Sequence, residues 1–266
     1  MNIIVGFLLA SSLSVLTLVV AYQWVLAIVS LVASRRSQQP PGQKYQQFLV
    51  LIPAHNEESG LASTLKSIDA IQYPGRCVQV VVADRCTDAT AAVARQCGAI
   101  CFERTTGEGA KGAAIAWGVE QIKSAGMVYD AVMVIDADVT ADSQCLEAFN
   151  LGLLCGYNVQ QGYNYLSNPW ESPFTRVIAV TSVLKNKLFF GGKSLLGLSG
   201  MLTGTGMCFT RNVIERYGWT AFTVGEDWEY SVHLLLAGER IHFNESARVL
   251  AKESQNMKQA SRQRLR

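Results

Sequence analysis

From Phe48 onward the chain alternates two patterns. Short, continuously apolar and β-branched runs read as strands buried on both faces of a parallel sheet. Longer stretches between them place apolar residues at helical spacing. The strand-like runs are residues 48–53, 78–83 and 99–103 and the run that starts at Ala131. Helical sequence follows them to about Ala70, Gln96 and Lys123, and then over residues 142–154. This β-α alternation argues a doubly wound, mostly parallel α/β sheet.

The second half changes character. A strand is expected over 158–165 and a helix over 174–190, carrying Arg176, Lys185 and Lys187. Residues 191–206 are rich in Gly, Ser and Thr, the composition of a loop that lies close to a ligand. A short strand over 207–210, a helix opening at Arg211, a helix over 231–237 and an edge strand over 240–243 follow, then a basic, polar helix over 252–266.

Ahead of the alternation, no charged residue occurs from Ile3 to Ala33. That run is long enough to cross a bilayer as a helix, and Arg35 and Arg36 follow it at once. The positive-inside rule then puts the amino terminus outside and the main domain in the cytoplasm. A cleaved signal peptide fits less well, because a charged leading region is missing and the apolar run is too long. The expected organisation is a single transmembrane helix over 1–34, a linker over 35–47 and a domain over 48–266. A nucleotide-binding half would span about 48–140 and a catalytic half about 141–266.

Composition adds little beyond this. A formal net charge of +2 over 266 residues gives no electrostatic reason to expect nucleic acid. The seven cysteines are scattered, with no Cys-x-x-Cys pair and no nearby His to complete a zinc site. They read as small, mostly buried thiols of a reducing compartment.

The candidate chemistry sits where the apolar runs end. In open α/β sheets, ligands lie off the carboxyl ends of the strands. Asp136 and Asp138 end the run from Ala131, and two acids one residue apart suit a hard divalent cation that also holds substrate phosphates. Helix capping is the ordinary alternative. After the first run come Pro53, Ala54, His55, Asn56, Glu57 and Glu58. Asn56 can cap the following helix, with Glu57 and Glu58 in its first turn. After the second run, Thr87 or Asp88 can cap, which leaves Asp84 for a base or ribose. Gly107-Glu-Gly109-Ala-Lys111-Gly112 spells the dinucleotide fingerprint, so an NAD-dependent oxidoreductase is an alternative. That fingerprint belongs to a first βα turn, and two βα units precede it here; Lys111 equally suits a phosphate. In Gly225-Glu226-Asp227-Trp228-Glu229-Tyr230, three acids in four residues exceed what a helix start needs, so a carboxylate there can be a general base.

Taken in order, these motifs resemble the family 2 inverting glycosyltransferases of the GT-A fold, most closely the membrane-bound synthases of bacterial polysaccharides. Residues 53–57 resemble the family's first nucleotide-binding turn, and Ala83-Asp84-Arg-Cys-Thr-Asp88 its Asp-Asp-Gly-Ser-x-Asp. Lys111-Gly112, Asp136-Ala-Asp138, Glu226-Asp227 and Gln263-x-x-Arg266 resemble its Lys-Gly, Asp-x-Asp, Glu-Asp and Gln-x-x-Arg-Trp. There are two departures. Ala83 replaces an acid, and the last Trp is missing, as expected if the sequence is a piece of a longer protein.

The resemblance implies a nucleotide-sugar donor, most often a UDP-sugar, with Mg²⁺ or Mn²⁺ held by Asp138 and Asp136. It implies Asp227 as general base beside Glu226. Pro53, Ala54, His55, Glu57, Asp84, Lys111 and Asp136 would line the donor site, and Trp228, Gln263 and Arg266 would hold acceptor or diphosphate. It implies a polysaccharide or lipid-linked acceptor, a place in the inner or plasma membrane, and possible partners in polysaccharide assembly. A polyprenyl-phosphate sugar transferase and a non-catalytic nucleotide-sugar-binding partner fit the same motifs.

Overall fold

The computed structural model describes residues 2–32, 44–107 and 109–254. Its first element is helix α1 (Asn2–Val32). The stretch Ile4–Val32 has a mean hydropathy of 2.4, long and apolar enough to cross a membrane. Near its end Leu26 and Ser30 are buried against the rest of the chain, and the Ser30 hydroxyl donates to the Lys187 carbonyl at 2.6 Å.

The domain is one eight-stranded sheet. Strands β1 (Phe48–Ala54), β2 (Cys77–Asp84), β3 (Ile100–Arg104) and β4 (Ala131–Val134) form its parallel part, in the order β3-β2-β1-β4. Between them run α2 (Leu61–Asp69), α3 (Thr90–Gln96) and α4 (Lys111–Ser124). All seven residues of β1 are buried, as its unbroken apolar run requires. Phe48, Val50 and Ile52 pack beneath α2, α3 and a fifth helix, α5 (Cys145–Leu154). Leu49 and Leu51 pack beneath α4, α8 (Arg211–Tyr217) and α9 (Glu226–Leu236). Helices on both faces make the sheet doubly wound.

The second half inserts against this direction. β7 (Met207–Thr210) runs antiparallel to both β4 and β6 (Val159–Leu166). β8 (Ile241–Ala251) is much longer than the edge strand expected over 240–243, and it is not an edge. It lies between β6 and β5 (Val139–Ala141), a three-residue strand that the sequence did not disclose. β8 has a register shift opposite Gly162 and Tyr163, and that irregularity masks its alternation.

The helix expected over 174–190 is α6 (Pro173–Val183) followed by a π-helical stretch, Leu184–Phe190. The start of the expected Gly-rich loop is instead α7 (Gly191–Leu195). Gly192 explains why: a side chain there would collide with the Leu26 backbone, so glycine lets α7 lie against α1. The helix expected over 252–266 has no counterpart at residues 252–254, and the remainder lies outside the described residues, as do Arg35 and Arg36.

Gly112 has a similar role at the start of α4. It is buried, and a Cβ on it would overlap the Ala221 carbonyl oxygen. Gly112→Ala should therefore lower stability by roughly 1–3 kcal/mol, the usual cost of overpacking. Urea unfolding of the solubilised chain measures it, and wild-type stability in the variant would contradict this packing.

Candidate functional site

Three turns at the carboxyl edge of the parallel strands, with the start of α4, line a cavity of about 370 Å³. Its wall includes Pro53, Ala54, His55, Glu57, Asp84, Lys111, Asp136 and Asp138. These are the candidate donor and metal residues of the sequence, brought together by parallel strands that all end on one side.

The first two turns are tied to each other. The His55 ring nitrogen Nδ1 lies 2.6 Å from the Asp84 carbonyl. Asn56 is not the expected helix cap: its φ is 56°, and its side-chain oxygen accepts from the Thr87 amide at 2.8 Å. α2 begins at Leu61, so Glu57 and Glu58 precede it. The Glu58 carboxylate instead accepts from the Ala89 amide at 2.9 Å, at the start of α3. Asp88 accepts from the Thr90 amide at 3.0 Å, but the N-cap of α3 is Ala89, not the expected Thr87 or Asp88. Asp84 is 4% exposed and pairs with Arg104 at 2.6 Å. Arg85 sits 3.4 Å from the same carboxylate.

The third turn carries the paired acids. Asp136 and Asp138 stand between β4 and β5, in a turn closed by the Val139 amide donating to the Asp136 carbonyl at 3.2 Å. Two hydroxyls pin it. Buried Thr64 donates to the Ala137 carbonyl at 2.7 Å, and Thr205 accepts from the Asp136 amide at 3.0 Å. Burial and the neighbouring Asp136 both push the Asp138 carboxyl above the usual carboxylate range.

Lys111 links this turn to the second half of the chain. Its ammonium pairs with Asp136, donates to the Gly204 carbonyl at 2.6 Å and lies 3.7 Å from Glu226. Burial works against its charge, but Asp136, Glu226 and Asp227 together raise its pKa above that of a free lysine. Glu226 opens α9. Burial raises its carboxyl, and Lys111 opposes the rise.

α9 is seated by Tyr230, which packs on Trp219 at 4.3 Å between ring centroids and donates to the Gly218 carbonyl at 2.6 Å. Asp227 is half-buried one residue into this helix, beside Gly204. Glu229, the third acid of the cluster, serves the local structure by accepting from the Phe222 and Thr223 amides at 2.9 and 3.0 Å. Trp228 is 61% exposed and does not line the cavity. Gln263 and Arg266 lie outside the described residues.

Sequence reasoning missed Gly204, Thr205 and Arg85. The first two were only part of a Gly-rich loop. Nothing in the spacing tells that Gly204 meets a lysine 93 residues earlier.

The site can hold a divalent ion only with help. Among the described residues no group of three or more His, Cys, Asp or Glu side chains converges as a metal cage. Two carboxylates at a cavity, with the remaining oxygens from substrate phosphates and water, is the arrangement Mg²⁺ favours.

Comparison with known proteins agrees with this architecture. A family described as "Glycosyltransferase like family 2" matches residues 46–266. A curated relative, "Probable glycosyltransferase YdaM" of Bacillus subtilis (strain 168), is 27% identical over 229 residues, covering 82% of this chain and 53% of that protein. The chain thus spans about half the length of that relative. Among solved structures, the mannosyltransferase PcManGT from Pyrobaculum calidifontis in complex with GDP-Man and Mn²⁺ superposes with a TM-score of 0.70 at 18% identity. That alignment covers 92% of this chain and 68% of the mannosyltransferase. Glucosyl-3-phosphoglycerate synthase from Mycobacterium tuberculosis, in complex with Mn²⁺, UDP and phosphoglyceric acid, gives 0.55 at 18% identity over 86% and 82%. At these identities the likeness is one of fold, and the fold is GT-A. The dinucleotide oxidoreductase reading falls with the family match, since Gly112 serves packing and Lys111 an ion pair.

Removing Lys111 tests the electrostatics. In Lys111→Met the Glu226 carboxyl should rise further, because the charge that lowers it is gone. A raised carboxyl pKa favours the folded state below it and loses that contribution as pH rises through it. Stabilisation on acidification should therefore begin at higher pH in the variant than in the wild type. Thermal unfolding across pH 4–8 reads this, and coincident profiles would contradict the pairing.

Proposed function

This chain belongs to glycosyltransferase-like family 2, and on that premise we propose that it is a membrane-anchored inverting transferase. It moves a sugar from a nucleoside diphosphate, foremost a UDP-sugar, to a hydroxyl of a polysaccharide or lipid-linked acceptor. The observation that carries the reading is Lys111, which ties the Asp136–Asp138 turn to the helix of Glu226 and Asp227.

The donor is assigned to the cavity. Asp84 and His55 face the nucleoside end, with Pro53, Ala54 and Glu57 around it. Asp136 and Asp138 face the diphosphate and hold Mg²⁺ or Mn²⁺, as the two solved relatives hold Mn²⁺ with their nucleotides. When bound there, the ion supplies positive charge to the departing diphosphate. Lys111 stays protonated at neutral pH, since its pKa is raised, and keeps the neighbouring acids from repelling one another.

Asp227 accepts the proton of the acceptor hydroxyl as that oxygen attacks the anomeric carbon opposite the leaving group, which inverts its configuration. Glu226 stays paired with Lys111 and fixes the start of α9. Exposed Trp228 offers an aromatic face on which an acceptor sugar can stack. Gln263 and Arg266 are assigned to the acceptor or diphosphate. α1, the one candidate membrane span among the described residues, is assigned to the inner or plasma membrane, with the catalytic domain on the cytoplasmic side and partners in polysaccharide assembly beside it.

Asp227→Asn should reduce sugar transfer by about 10²–10⁴-fold, the usual contribution of a general base, with UDP affinity unchanged. Transfer near the parental rate would put the base elsewhere.

A further inference from the structure

Two residues other than glycine adopt left-handed backbone conformations among the described residues: Asn56 at φ 56° and Arg85 at φ 50°. Asparagine tolerates this region, and the Asn56 side chain is used by the Thr87 amide. The local side-chain contacts of Arg85, to Asp84, are long at 3.4 Å. The motif that residues 83–88 resemble has Gly at the place of Arg85, the residue that adopts such a turn without strain. A strained side chain kept at a ligand cavity points to a function for that side chain.

The position of the guanidinium supplies that function. Arg85 lines the same cavity as Asp84, Lys111 and Asp136, and its side chain is 34% exposed. It lies against Gly109 so closely that a methyl group there would overlap it. It is not needed to neutralise Asp84, whose firm partner is Arg104 at 2.6 Å; the Arg85 contacts are long, at 3.4 Å. A planar cation with spare donors thus stands beside a carboxylate with spare lone pairs in the cavity wall.

We propose that Arg85 and Asp84 together read the nucleobase of the donor. Arg85 donates to a ring carbonyl, and Asp84 accepts from the adjacent ring N–H. The pair selects bases with a keto oxygen beside a ring N–H, uracil or guanine. Cytosine in the same place opposes a donor to Arg85 and a lone pair to Asp84. The inference rests on the nucleotide-donor reading of the cavity.

The test is binding of UDP and CDP, each with Mn²⁺, to the detergent-solubilised full chain. Wild type, Arg85→Gly and Arg85→Lys are compared, with the melting temperature of each. Wild type should favour UDP over CDP by about 10- to 100-fold, the worth of a hydrogen bond or two to a charged group. In Arg85→Gly the ratio should fall towards one while the melting temperature rises, because glycine relieves the turn. Arg85→Lys keeps the charge but not the fork, and should recover affinity without the ratio. An unchanged ratio in Arg85→Gly overturns the inference, and so does an equal loss for both nucleotides, which would place Arg85 on the phosphates. A wild type that binds UDP and CDP equally overturns it while leaving the donor site standing. A wild type that binds neither overturns the donor site itself and the inference with it.

Discussion

One ammonium group among acids holds this site in shape. Lys111 meets Asp136, Glu226 and the field of Asp227, and its remaining hydrogen-bonding capacity goes to the Gly204 carbonyl. Carboxylates this close would drive each other towards protonation without a cation between them. Asp138, with no ion-pair partner among the described residues, has its carboxyl raised first by burial and then by the charge of Asp136. The acids still outnumber the cation, and that excess of negative charge, on oxygen ligands at a phosphate-sized cavity, suits a divalent ion.

The same lysine joins two halves of different construction. The first is a plain parallel sheet whose turns converge because all its strands end on one side. The second, entered through antiparallel β7, delivers α9 to that edge. The loop over 202–206 is the joint. Buried Gln161 grips it, accepting from the Thr203 amide at 2.8 Å and donating to the Thr205 carbonyl at 2.9 Å. Ser231 ties it to α9 by accepting from the Leu202 amide and donating to the Asp227 carbonyl. Gly204, at φ 86°, brings the backbone close enough for Lys111 to reach.

What was legible in the sequence follows from locality. β1, β2, β4 and β7 are short, apolar and bounded by polar turns, so their periodicity is a property of a few neighbours. The residues Asp84, Lys111, Asp136 and Asp138 were legible because strand ends put them at one edge. β5 and β8 were not, because three residues carry no period and a register shift breaks the alternation of the longer strand. Asn56 looked like a cap because its residue type suits one; its side chain went to a neighbouring turn instead. The pairing of Lys111 with Glu226 spans 115 positions of chain, and no local pattern encodes it.

Asp136 and Asp138 are proposed to hold a divalent ion together with the diphosphate of the donor. UDP binding to the solubilised chain, measured by calorimetry with Mn²⁺ and again with a chelator, tests it most directly, with Asp138→Ala alongside. Binding should require Mn²⁺ in the wild type and be lost in the variant. UDP binding of equal strength with Mn²⁺ and with chelator would contradict it.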